Sequence, residues 1–144
     1  MKAKIESDER YIAVIAHDAK KENMVAFMQK HENYLSGQKL VAMQTTGTLI
    51  AARTGLTVKT MLSGPMGGDL QIGALIATDD VKAVLFLRDP LTAHPHEPDI
   101  AALLKVCDIH NVPLATNLAT AELLLNFLAQ SGPQTPDARE SFAP

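Results

Sequence analysis

Tyr11-Ile12-Ala13-Val14-Ile15-Ala16 is an apolar run with no polar residue at alternate positions, and it leads directly into His17-Asp18-Ala19-Lys20-Lys21. A strand with one face in water alternates apolar and polar side chains. One that does not alternate is buried on both faces, as in a parallel sheet covered by helices. Four further short apolar runs follow at 39–43, 57–62, 83–87 and 113–116. Between them the apolar spacing is helical: first 20–34, with Met24, Val25, Phe27 and Met28 toward the core, then 48–54, 70–78, 100–110 and 119–128.

Strand and helix taking turns, with connections of a few residues, predict an α/β fold. The expected architecture is a single three-layer domain with a five-stranded, mainly parallel sheet and helices on both faces. The domain is expected over residues 11–130, after a polar lead-in at 1–10. Residues 131–144 hold three prolines and little to bury, which predicts a flexible C-terminal tail.

At 144 residues and 47% hydrophobic content, the chain is one domain in size and can bury roughly two thirds of its unfolded surface. Its 13 basic and 16 acidic residues give a net charge of −3, which leaves no electrostatic footprint for a nucleic-acid backbone. Any anionic ligand is therefore expected to be small and locally bound. The first residues lack the apolar core of a secretory signal, and no run approaches the ~20 apolar residues of a bilayer span. With Cys107 as its single cysteine, the chain reads as a soluble cytoplasmic protein with no membrane partner.

Ligands of such sheets bind beyond the carboxyl ends of the strands, so the residues after each strand are the ones to read for chemistry. Here they are His17-Asp18-Ala19-Lys20-Lys21, Gln44-Thr45-Thr46-Gly47, Ser63-Gly64-Pro65-Met66-Gly67-Gly68-Asp69, and the long stretch from Arg88 to Asp99 that carries His94 and His96. Thr45-Thr46-Gly47 and Ser63-Gly64 offer hydroxyls and open backbone amides, as an oxyanion site requires, and Lys21 can add a full positive charge. Each feature also has a structural reading. Thr45 or Thr46 can be a helix N-cap, Lys21 a solvated surface residue, and Asp69 and Asp99 capping carboxylates. His94-x-His96, with Glu97 and Asp99 nearby, forms no defensible ligand spacing, so neither a metal nor another cofactor is expected.

Taken together, His17-Asp18-x-x-Lys21, Thr45-Thr46-Gly47, Leu62-Ser63-Gly64-Pro65-Met66-Gly67-Gly68-Asp69, Asp89-Pro90-Leu91, Pro95-His96-x-Pro98-Asp99 and Pro113-Leu114-Ala115-Thr116-Asn117 resemble the methylglyoxal synthase family over about residues 11–126. The resemblance implies a lyase that converts a small phosphorylated ketose, dihydroxyacetone phosphate, to methylglyoxal and phosphate. It implies Asp69 as general base and His96 as the electrophile that steadies the enediolate. His17, Lys21, Thr45, Thr46, Ser63 and Gly64 become substrate-binding residues, and Asp18, Asp89 and Asp99 supporting acids. It also implies a homo-oligomer, specifically a hexamer.

The second loop departs from the family's Ala-Thr-Gly-Thr-Thr-Gly, reading Ala42-Met43-Gln44-Thr45-Thr46-Gly47. Met43 cannot donate a hydroxyl hydrogen bond, and Gln44 brings a side chain where a glycine would leave the backbone free. Two other readings stand beside the lyase, and Met43-Gln44 speaks for the first of them. One is a phosphate-ligand-sensing module like the regulatory domain of carbamoyl-phosphate synthetase, and the other is a sugar-phosphate isomerase.

Overall fold

The computed structural model describes residues 8–92 and 97–131. Five strands, β1 (Tyr11–Ala16), β2 (Lys39–Met43), β3 (Val58–Met61), β4 (Val81–Leu87) and β5 (Leu114–Ala115), form one sheet in the order β3-β2-β1-β4-β5. Every pairing is parallel. Among the described residues, six helices connect and follow them: α1 (Lys21–Lys30), α2 (Glu32–Leu35), α3 (Gln44–Arg53), α4 (Gly68–Ala77), α5 (Glu97–Ile109) and α6 (Leu118–Ser131). None of these helices, among the described residues, is long and apolar enough to cross a membrane.

The period of two in a strand explains why β1 shows no polar alternation. Ile12, Val14 and Ala16 enter one core with residues of α1, α2, α3 and α6, including Met24, Leu35, Ile50 and Leu125. Ala13 and Ile15 enter a second core on the opposite face, with Ile72 and Ile76 of α4 and Ile100, Leu103 and Cys107 of α5. All seven residues of β4 are buried for the same reason. Burial in the second core pushes the Cys107 thiol up to about 11, so it packs there as a neutral group.

Several expected boundaries move. The helix expected over 20–34 is a single 3-10 turn (Asp18–Lys20), then α1 and α2, with His31 between them at φ −105°, ψ 18°. The break has a tertiary cause. The His31 ring packs on Phe27, 4.6 Å between centroids, and its Nε2 meets Glu122 Oε1 of α6 at 2.6 Å, with Lys30 on the same carboxylate. Helix α3 begins four residues before the expected 48, directly at the end of β2. Helix α5 begins at Glu97, not Ile100, and α6 reaches Ser131. The remainder of the expected tail lies outside the described residues.

Hydrogen bonds from His31 and Lys30 hold the Glu122 carboxyl below its ordinary value of 4.5. A folded-state value below the unfolded one stabilises the fold above that ordinary value, and the contribution disappears as pH falls through the folded value. The Glu122→Gln variant should therefore melt below the unaltered chain near neutral pH, and the two melting temperatures should converge as pH is lowered past 4.5. Thermal denaturation across pH checks this.

Candidate active site

Winding leaves β1 toward β2 on one side and resumes at β4 on the other, so the chain reverses direction between β1 and β4. Such a switch point opens a crevice at the carboxyl ends of the strands. Here it is a cavity of about 420 Å³ lined by His17, Asp18, Lys21, Thr45, Thr46, Ser63, Gly64, Asp69, Asp89 and Asp99. Every site residue expected from the sequence thus meets at one place except His96, which, with His94, lies outside the described residues.

The residues after β1 are held closely. His17 N–H donates to Leu87 O at 3.1 Å, and Asp89 N–H donates to His17 Nδ1 at 2.8 Å. Accepting an amide hydrogen requires Nδ1 to be without a proton, so the ring's hydrogen sits on Nε2, which becomes a donor. The Phe86 ring meets the imidazole nearly edge-on, at 5.2 Å and 79°, which fixes its plane. The solvated reading of Lys21 is wrong. Its side chain is only 17% exposed, and its Nζ reaches Ala16 O at 3.0 Å and Asp18 Oδ1 at 3.1 Å. Asp18 itself is fully exposed at the cavity mouth.

Neither threonine caps α3. The N-cap is Met43, in extended conformation and without a side-chain bond to the helix, so the first-turn amides of Gln44, Thr45 and Thr46 keep no intrahelical partner. They give the cavity the positive end of a helix beside the Lys21 ammonium. Thr46 is buried and Thr45 exposed. Gln44 is helical and exposed and does not line the cavity, so this position needs no left-handed backbone.

The third loop is a tight turn. Met66 N–H and Gly68 N–H donate to Ser63 O, and Gly67 N–H donates to Gly64 O, so the turn's internal bonds leave out the Ser63 and Gly64 amides. Gly67 is the left-handed N-cap of α4, at φ 103°. Gly68 is required by proximity, because a Cβ there would lie 1.8 Å from Leu62 O. Asp69 is accordingly the second residue of α4, not its cap. It is half-buried, with Oδ1 accepting Leu70 N–H at 3.0 Å. Asp89 Oδ1 accepts Leu91 N–H at 3.1 Å and shapes the fourth loop, while Asp99 lies inside α5 and caps no helix at Ile100.

Sequence reading missed the apolar wall. Ile15, Phe86, Ile100 and Leu103 line the cavity as well as belonging to the second core. The available signal was that Ile15 and Phe86 fall in the last two residues of their strands, at the binding end.

A family model described as MGS-like domain matches residues 23–116. Proteins named methylglyoxal synthase are similar over most of the chain. That of Cupriavidus metallidurans is 61% identical over 119 residues, covering 83% of this chain and 85% of the relative. That of Carboxydothermus hydrogenoformans is 56% identical over 117 residues, covering 81% and 97%. The chain belongs to the methylglyoxal synthase family. The crystal structure of methylglyoxal synthase from Elizabethkingia anophelis superposes with a TM-score of 0.80 at 40% identity, over 85% of this chain and 82% of that one.

The departure from the methylglyoxal synthase pattern now has a physical description. Met43 lies under the third loop: a Cβ on Gly68 would come within 2.9 Å of its Cγ, and one on Gly64 within 3.7 Å of its sulfur. An adaptable thioether thus packs between β2 and the turn where a hydroxyl would otherwise stand. The close approach at Gly68 also yields a matched pair of variants. Gly68→Ala should lower the melting temperature and weaken phosphate binding, because Leu62 O must move. Gly73→Ala, in the interior of the same helix with nothing within 4 Å of the new carbon, should stabilise by about 0.5–1 kcal/mol. Melting curves with and without inorganic phosphate test both.

Proposed function

We propose that the chain is a lyase converting dihydroxyacetone phosphate to methylglyoxal and inorganic phosphate through an enediolate phosphate. The observation that carries this reading is that Asp69, one of four aspartates on the cavity, lines it together with residues suited to form an anion cradle. The cradle consists of Lys21, the α3 amides with Thr45 and Thr46, and Ser63-Gly64. Membership of the methylglyoxal synthase family supports it.

In this reading the phosphate binds at the cradle and the hydroxymethyl carbon faces Asp69. Asp69 takes a proton from that carbon, and the C–H electron pair forms a carbon–carbon double bond as the ketone oxygen becomes negative. His17 Nε2–H beside the substrate, and His96 as electrophile, donate toward the oxygens where charge develops. Preorganised donors of this kind are worth about 2.7–4 kcal/mol each. The hydroxyl on the former hydroxymethyl carbon then passes its proton to the neighbouring negative oxygen, and its own electron pair forms the aldehyde carbonyl. The enediolate double bond shifts to the phosphate-bearing carbon, the bond from that carbon to the bridging oxygen breaks, and phosphate leaves with that pair and the proton Asp69 had taken. The enol left behind tautomerises to methylglyoxal. Asp18, Asp89 and Asp99 support: Asp18 pairs with Lys21, and the Asp89 backbone sets the His17 tautomer.

The grip on phosphate chooses the product. Elimination requires the bridging C–O bond to stand perpendicular to the enediolate plane, whereas an isomerase suppresses that alignment and reprotonates the neighbouring carbon. No separate cofactor enters these steps. We further propose a cytoplasmic homohexamer built on the domain at 11–130. The sensing-module alternative rests on Met43-Gln44 and predicts ligand binding without turnover.

Asp69→Asn is nearly isosteric but cannot take the proton. It should keep substrate binding and lower kcat by about 10²–10⁴-fold. It should also abolish deuterium exchange from solvent into recovered substrate. Unchanged turnover in this variant would remove Asp69 from the role of base.

A further inference from the structure

Gln71 takes no part in lining the cavity, yet it holds the loop that grips phosphate. Its Oε1 accepts the Leu62 N–H at 2.8 Å. Leu62 immediately precedes Ser63 and follows β3, the edge strand, which among the described residues is laddered with β2. The other polar group of the same residue, Leu62 O, lies against the backbone of Gly68 so closely that no side chain fits there. Both backbone groups of Leu62 are thus set by the first turn of α4, the helix that presents Asp69 two residues before Gln71. The Gly68 N–H to Ser63 O bond at 2.9 Å closes the ring from inside.

We infer that Gln71 is a positioning residue: by fixing Leu62 to α4 it sets the placement of the Ser63-Gly64 phosphate contacts relative to the Asp69 carboxylate, and so the partition of the enediolate between phosphate elimination and reprotonation. This rests on the lyase reading and deepens it. Proton removal needs only Asp69 and the carbon to meet. Elimination also needs the bridging C–O bond held at one angle to the enediolate plane, and that angle is set by where the phosphate sits. A loop released from α4 therefore harms elimination more than proton removal. Small misplacements of reacting groups are enough to matter, since about 1 Å can cost on the order of 10²-fold in rate.

The test measures, in deuterated water, methylglyoxal formed against deuterium returned to unreacted dihydroxyacetone phosphate and any glyceraldehyde 3-phosphate. The proteins are the unaltered chain, Gln71→Leu and Gln71→Glu. Being a ratio within each active molecule, the partition is insensitive to how much of a variant is folded. Gln71→Leu loses the acceptor and should form methylglyoxal about 10-fold or more slowly, with the partition moved toward exchange and isomerised product. Gln71→Glu keeps an acceptor oxygen at the same reach and should restore the partition of the unaltered chain, while its added charge raises KM for the phosphorylated substrate. An unchanged partition in Gln71→Leu overturns the inference alone. No methylglyoxal from the unaltered chain overturns the lyase reading and this inference with it.

Discussion

Asp89 N–H donates to His17 Nδ1 at 2.8 Å just beyond the last rung of the β1–β4 ladder, where Ala16 pairs with Leu87. This contact depends on β1 and β4 being neighbours although most of the chain between them lies elsewhere. Because the pair is parallel and central, both loops leave from the same edge of the sheet, one toward α1 and one toward α5 on the other face. The cavity opens between them. Burial of both strands on both faces makes that arrangement rigid: losing one large side chain such as Leu85 or Phe86 typically costs on the order of 2–5 kcal/mol, a large share of a domain's stability.

On that frame the site divides its work. In the proposed reading, the Lys21 ammonium and the N-terminus of α3 provide positive charge for the phosphate, while the Asp69 carboxylate on α4 faces the carbon end. In the same reading, the packing of Met43 gives a way for the anion end to accommodate an apolar residue. The amides of α3 need no side-chain cap if an anion takes its place, and the thioether supports the neighbouring turn instead. Losing one hydrogen bond to a charged group costs about 1.5–3 kcal/mol when nothing replaces it. Here the remaining cradle still comprises a lysine, two threonines and two segments of open backbone.

The central sheet was legible because its cause is local. The apolar run at 11–16 can be buried on both faces only in a covered parallel sheet, and strand–helix alternation then prescribes the layers. Convergence of the post-strand residues follows from the same topology, and the family resemblance covers the same residues. What was not legible depends on tertiary contact. Gln44-Thr45-Thr46-Gly47 reads as a loop from its turn-forming residues, yet docking of α3 against β2 and β3 starts the helix at once. The break at His31 is set by Glu122, distant in sequence, and the burial of Lys21 by the carbonyl of Ala16. Phe86 carries only its place near the end of its strand and Gln71 no sequence signal of its own: one reads as core and the other as a helix-surface amide, and only the packed structure gives them their neighbours. His96 lies outside the described residues, so its role rests on the resemblance.

The central claim is that the cradle and the carboxylate act on one substrate to break a carbon–oxygen bond by elimination. The most direct measurement is incubation of the purified chain with dihydroxyacetone phosphate while methylglyoxal and free phosphate are followed together. The account predicts that both appear, in equal amounts and at equal rates. Phosphate released without methylglyoxal, or substrate bound with neither product formed, would contradict it.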